Sequence, residues 1–323
     1  MFDITEEHRF LQIDVPVCPS GTSINHVFSF PSTSLIFACL SITCFIFSII
    51  IAFHYNSFTV FNKKMRTQTI SNTLWILYYL TLGLRASSNT IRFSMDREKE
   101  IQIEKIFFIA SLTLHGFTAL TLSLSLNHQR RYRSTTSTQS THQQQKNRES
   151  DPLLQIQQDH GSRSLKLKSM LKRSKISISE IIIIFLFILF LVFLYVEIDK
   201  ENQIFYDILL TIFIVQHIPV LVLVVMIAFS GKGEGPTQRS RIFIILGAIF
   251  NLCNYLPLYF WSEYLPGGCP MYIVSYVDFI QIFDFASLLF FFLFLRSEYS
   301  RNVEECIWTA VSQSQDTFDF RKF

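Results

Sequence analysis

The stretch SEIIIIFLFILFLVFLYV, residues 179–196, decides the class of this protein. Inside it, Ile181-Ile182-Ile183-Ile184-Phe185-Leu186-Phe187 carries no polar side-chain atom, and Glu180 at its edge is the only charge. A helix rising 1.5 Å per residue needs about 20 apolar residues to cross the hydrocarbon core of a bilayer. A helix on a soluble surface keeps one polar face, and this stretch has none. Six more blocks of similar length lie to either side, at residues 35–53, 70–90, 106–126, 204–229, 242–261 and 272–295. The second and third are diluted by Arg85, Ser87, Ser88 and a Ser/Thr ladder from Ser111 to Ser125. Serine and threonine are common between packed membrane helices, so both count as spans. The expected fold is all-α: a polytopic membrane protein built as a seven-transmembrane helix bundle.

Composition agrees. Of 323 residues, 50% are hydrophobic and 16% charged, with a mean hydropathy of +0.32. A soluble domain carries about 25% charged residues. The 34 phenylalanines, against 10 glycines, 9 prolines and 6 cysteines, exclude collagen-like and disulfide-scaffold chains. Orientation follows from where lysine and arginine fall. Of the 28, 21 lie in the first, third and fifth connections and the C-terminal tail. Six lie in the N-terminal tail and the even-numbered connections, and Arg85 is inside a span. The N-terminus is therefore expected outside or lumenal and the C-terminus cytosolic. The first apolar block follows about 33 mostly polar residues, too late for a cleavable signal peptide, and is expected to act as an uncleaved anchor.

The chain thus divides into a lumenal tail (1–33), helices 1–3 (34–126), a long basic cytosolic loop (127–178), helices 4–7 (179–295) and a cytosolic tail (296–323). Between Ser134 and Gln145 the loop is rich in Ser, Thr and Gln and almost free of apolar residues, and so is expected to be disordered. Residues 163–175, RSLKLKSMLKRSK from Arg163 to Lys175, interleave basic with apolar side chains and suit an anionic cytosolic leaflet or an ordinary positive-inside flank. In the same loop, Glu149 stands four places before Leu153-Leu154, the spacing of a dileucine signal read by clathrin adaptors. Pro152 keeps that segment extended. Such a signal gives late endosomes or lysosomes as the expected address, with the plasma membrane as the alternative. In the tail, Tyr299, Val303, Cys306 and Ile307 recur at helical spacing, predicting a short interfacial eighth helix with Cys306 as a palmitoylation candidate.

Polar residues inside the spans carry the functional expectation. Asp278, Gln281 and Asp284 stand at steps of three on one wedge of the seventh span. Ionisable groups at that depth are expensive and mark functional sites by default, although a polar seam that only orients the helix has the same spacing. Counted from the span ends, Asp278 lies about 9 Å and Arg85 about 7 Å below the lumenal boundary, so Arg85 is expected to pair with Asp278. His115 and His217 sit near the mid-plane with Asp284, either as a His–Asp pair or as histidines bonded separately to neighbouring helices. Asn251, Asn254, Pro257 and Pro219 mark bends along the same interior. Cys18 and Cys269, the two lumenal cysteines, are expected to form a disulfide. No metal site is expected, since two deep histidines on different helices make no ligand pair. No cofactor is implied either. The chain contains no Gly-x-Ser-x-Gly, Gly-x-Gly-Asp, His-Glu-x-x-His or phosphate-loop motif, so no enzyme class is expected.

Seven spans with a short eighth helix make a receptor-like plan, but rhodopsin-like signatures are largely missing. Gln129-Arg130-Arg131-Tyr132 lacks the acid of Asp-Arg-Tyr, and no Asn-Pro-x-x-Tyr closes the last span, which leaves G-protein coupling open. Cys18 before the first span, Arg85 late in the second, Gly268-Cys269 in the last lumenal connection and Phe294-Leu295-Arg296 closing the seventh form another set. In these the chain resembles the orphan seven-helix proteins grouped around the adipocyte-associated transmembrane protein and the plant tobamovirus-multiplication proteins. That resemblance implies an endomembrane or lysosomal protein. Two functions stay open: a receptor-like or scaffold protein presenting its cytosolic loop, and a small, proton-coupled lysosomal transporter using Asp278 and Asp284.

Overall fold

The structure is a computed structural model, and it describes residues 32–55, 66–94, 101–148, 178–197, 203–230, 237–253 and 276–319. Among these the chain forms seven α-helices and no strand. They are α1 (Ser32–Ile50), α2 (Arg66–Ser94), α3 (Ile101–Arg148), α4 (Ile178–Glu197), α5 (Gln203–Ala228), α6 (Gln238–Cys253) and α7 (Tyr276–Asp319). A single π-helical turn, Ile51–Tyr55, prolongs α1 and sets Tyr55 against Tyr299 at 4.4 Å between ring centres. Three segments are long and apolar enough to cross a membrane by length and composition: Ser34–Tyr55, Ile106–Arg131 and Ile178–Val196.

The helices close into a ring. Helix α1 packs on α2, α2 on α3, α3 on α5, α5 on α6, α6 on α7, and α7 returns to α1. Helix α4 stands outside that ring against α3 and α5. Its position explains its sequence: Ile181, Ile182, Phe185, Ile188 and Val192 face outward, while Phe187, Phe190 and Leu194 pack on α3. Gly116 makes that contact possible, because a Cβ there would overlap the Phe190 ring.

Polarity is turned inward. Ser34, Ser41 and Ser48, seven residues apart on α1, are buried and donate to the carbonyls of Thr90 (2.9 Å), Gly83 (3.0 Å) and Ile76 (3.3 Å), seven apart on α2. A seven-residue repeat keeps one seam facing a partner helix, and small residues let the backbones approach. At Gly83 a Cβ would stand 3.1 Å from the Cβ of Cys44. Arg92 near the end of α2 is also buried, its guanidinium 4.5 Å above the Phe108 ring. Helix α6 opens on Thr237, whose Oγ1 accepts from the Ser240 N–H as an N-cap. The core proper is aromatic, with Trp75, Tyr78 and Tyr79 of α2 meeting Phe291, Phe292 and Phe294 of α7.

Two expectations change. The stretch between Ser134 and Gln145, expected to be disordered, is helical, because α3 runs on through Arg148. Ser, Thr and Gln lie within about 0.7 kcal/mol of alanine in helix propensity, and no Gly or Pro interrupts 127–148, so a helix already nucleated in the bundle propagates. The separate eighth helix is likewise absent from the described residues: α7 continues to Asp319 without a break. Turning a helix onto a membrane surface needs a breaker, and 276–319 contains neither Gly nor Pro. The spacing of Tyr299, Val303, Cys306 and Ile307 belongs to that continuing helix. The side chain of Cys306 lies outside the described set, as do Cys18, Cys269, Glu149, Leu153, Leu154, Asn254 and the basic run from Arg163 to Lys175.

Candidate functional site

Three helices converge on Arg85. Its Nη2 donates to Asp284 Oδ2 of α7 at 2.5 Å, and its Nη1 donates to His115 Nδ1 of α3 at 2.8 Å. The side chains of Arg85 and Asp284 are 11% and 5% exposed. Arginine has only donors, so His115 Nδ1 must accept, which assigns the ring proton to Nε2. A proton can reach Nδ1 only if the arginine bond opens. The His217 ring of α5 lies 5.8 Å from that of His115, centre to centre, and is itself buried.

Around these groups is a cavity of about 10 Å3, lined by Tyr78, Leu82, Arg85, His115, Thr118, Ala119, Leu122, His217, Asn251 and Asp284. That volume holds about one water. Among the residues predicted from sequence, Arg85, His115, His217, Asn251 and Asp284 are thus brought together. Gln281 is buried with its Oε1 unpaired among described residues, but it does not line the cavity.

The partner of Arg85 is a correction: Asp284 takes the place expected for Asp278. The reason is helix register, which span ends estimated from hydropathy do not fix. Helix α2 is still helical at Ser94, beyond the expected span end at 90. Asp284 lies six residues beyond Asp278, about 9 Å further along α7, so α2 and α7 meet in a register shifted from the one the span ends implied. The side chain of Asp278 is outside the described set.

A second polar cluster, at the opposite ends of α3 and α4, was missed by sequence reasoning. Glu180 accepts from Arg131 at 2.9 Å and from Asn127 Nδ2 at 3.3 Å, with His128 Nε2 3.5 Å away. Ser179 and Arg130 each donate to Asn127 Oδ1 at 3.3 Å. Gln129, which stands where an acid would sit in Asp-Arg-Tyr, instead accepts from Ser71 of α2 at 2.9 Å. The acid that meets the arginine comes from α4. The signal was available: Glu180 is the only charge within 179–196, the most apolar block of the chain.

No group of three or more His, Cys, Asp or Glu capable of holding a metal occurs among the described residues. Cys39, Cys44 and Cys253 are free thiols. Comparison with protein-family models, with curated proteins and with solved structures returns no match.

Proposed function

We propose that this chain is a seven-helix integral membrane protein of receptor-like or scaffold type, N-terminus lumenal and C-terminus cytosolic, resident in late endosomes or lysosomes. The observation that carries the reading is the Arg85–Asp284–His115 cluster, which ties α2, α7 and α3 together at the centre of an apolar-outside bundle. Phe185 at 62% exposed and its neighbours on α4 would face lipid, since a soluble protein rarely leaves so large an apolar patch in water. A ligand or partner that favoured the separated groups over the paired ones would shift α2, α3 and α7 relative to one another. Room for about one water beside the ion pair favours such a switch over passage of a solute.

The cytosolic loop supplies the address. Glu149 and Leu153-Leu154 would engage a clathrin adaptor, and the basic run from Arg163 to Lys175 would rest on anionic lipid. The resemblance to the orphan seven-helix group agrees with an endomembrane location. Imaging of Leu153→Ala/Leu154→Ala in cells tests this: the variant moves to the plasma membrane, and unchanged residence of a folded double variant removes the sorting reading. The grouping of His115, His217 and Asp284 favours a second reading, a proton-coupled transporter. Substrate flux abolished by Asp284→Asn would put it first.

A further inference from the structure

Two cavities lie side by side in the bundle, and each has a polar side chain with a buried atom unpaired among the described residues. The first is the one beside Arg85, where the Asn251 Oδ1 has no hydrogen-bond partner among described residues. The second, also of about 10 Å3, lies between α3, α4 and α5, with Ala119, Ser123, Leu186, Phe187, Gln216 and Pro219 in its wall. Gln216 is 5% exposed, yet neither its Nε2 nor its Oε1 has a partner among described residues. Pro219, in mid-helix, has no N–H to return to the Val215 carbonyl, so α5 offers a further acceptor there. Buried carboxamides are normally met by protein or by ordered water, and each cavity has the volume of about one water.

The two cavities are neighbours. Ala119 stands in both walls, and Gln216 of the second precedes His217 of the first in the chain. Beyond the second, one turn along α3 from Ser123, Asn127 donates to Glu180. Polar groups therefore run from the centre, past Ala119, Gln216 and Ser123, to the α3–α4 end of the bundle. The charged and titratable groups at the centre are Arg85 and Tyr78 from α2, His115 from α3, His217 from α5 and Asp284 from α7, with Cys44 of α1 close to Asp284 and Arg85. At the far end Glu180 from α4 is faced by His128 and Arg131 from α3.

We infer that the two cavities are single-water sites joined past Ala119, forming a hydrogen-bonded path that carries protons between the Ser123 end, one turn of α3 from the Glu180 cluster, and the Asp284–His217 centre. Gln216 orders the path by donating from Nε2 and accepting at Oε1. A proton entering at the Ser123 end passes through its hydroxyl and the two waters, each carrier releasing one proton as it accepts another. It comes to rest on the His217 ring or the Asp284 carboxylate. Sites of one water each admit protons and exclude solutes. The inference rests on the bundle crossing a membrane, and on neither the receptor-like nor the transporter reading.

Hydroxyl-radical labelling with mass spectrometry tests it on the full chain in lipid nanodiscs, since radicals form from water in place. Ile183 and Phe187, in the cavity wall and 5% and 9% exposed, should label several-fold more than Phe190 and Leu194, which are fully buried on the same helix and line neither cavity. Gln216→Leu should abolish that excess. It should also slow protonation of the centre at least tenfold after a pH jump, followed by the infrared carboxyl band that Asp284→Asn removes. Ala119→Leu, which fills both cavities, should do the same, with Gln216→Met as the gentler variant if packing suffers. Labelling no higher than at Phe190 and Leu194, or an unchanged protonation rate in Gln216→Leu, overturns the path. Strong labelling of the outward Ile182 and Phe185 would instead mean that lipid does not cover α4, and would count against the membrane reading itself.

Discussion

Replacing Arg85 by alanine removes both bonds at the centre of the bundle, to Asp284 at 2.5 Å and to His115 at 2.8 Å. Asp284, 5% exposed, is left as a buried anion without its cation. Breaking a buried pair from one side costs about 3–5 kcal/mol. The upper end is capped, because the carboxyl can take a proton instead. For an ordinary aspartate at pH 7 that protonation costs about 4 kcal/mol. Arg85→Ala should therefore destabilise by about 3–4 kcal/mol, and Asp284→Ala by a similar amount for the opposite reason. Arg85→Met/Asp284→Leu, which removes both charges and keeps volume, should recover most of the loss. The assay is a double-mutant cycle on purified protein in detergent, read by thermal unfolding, and the coupling should exceed about 2 kcal/mol. Asp278→Asn serves as the control and should leave stability within about 0.5 kcal/mol, since Arg85 keeps its partner. Additive effects at Arg85 and Asp284, or coupling of Arg85 to Asp278 instead, would refute the reasoning.

The seam between α1 and α2 predicts that Ser41→Ala costs about 0.6–1.7 kcal/mol, the range of a hydrogen bond between membrane helices. Gly83→Val should cost more, because its Cβ meets Cys44; both are read as shifts in thermal unfolding. Gly116→Ala drives a methyl into the Phe190 ring and should cost about 1–3 kcal/mol, with Phe190→Leu in the same chain restoring part of it. Glu180→Gln loses the charge-assisted bond from Arg131 and should cost about 1.5–3 kcal/mol, so that α4 releases from α3 first in hydrogen exchange.

Most of the fold is legible in the sequence because blocks of about 20 apolar residues have no other use at this density. Each of the seven blocks lies at least partly in one of the described helices. Helix ends were not legible. Hydropathy reports where lipid-compatible sequence stops, whereas a helix can run on past that point where no Gly or Pro interrupts it, as in 127–148 and 276–319. Register between helices was not legible either, and so Arg85 was matched to Asp278 instead of Asp284. The inward polar groups were readable as a set, since charges in an apolar block have few places to go. Their pairing was not, because Asp278 and Asp284 share a wedge of the helix and only depth separates them. The serine seam could have been found: Ser34, Ser41 and Ser48 repeat at seven, and so do Ile76, Gly83 and Thr90 on the antiparallel partner. Glu180 was hidden by its neighbours, since a lone acid at the edge of a span has the look of a simple boundary marker.

The number and direction of the membrane crossings is the central claim, and glycosylation mapping tests it most directly. The chain has no Asn-x-Ser/Thr sequence of its own, so acceptor sites introduced one at a time report without background. Acceptors in the N-terminal tail and within 95–100 and 262–271 should be glycosylated in microsomes. Those within 56–65, 155–170, 231–236 and the tail after 319 should not. Glycosylation of the 155–170 or C-terminal acceptor, or its absence from both 95–100 and 262–271 acceptors spaced well clear of the bilayer, would contradict a seven-helix bundle with its N-terminus in the lumen.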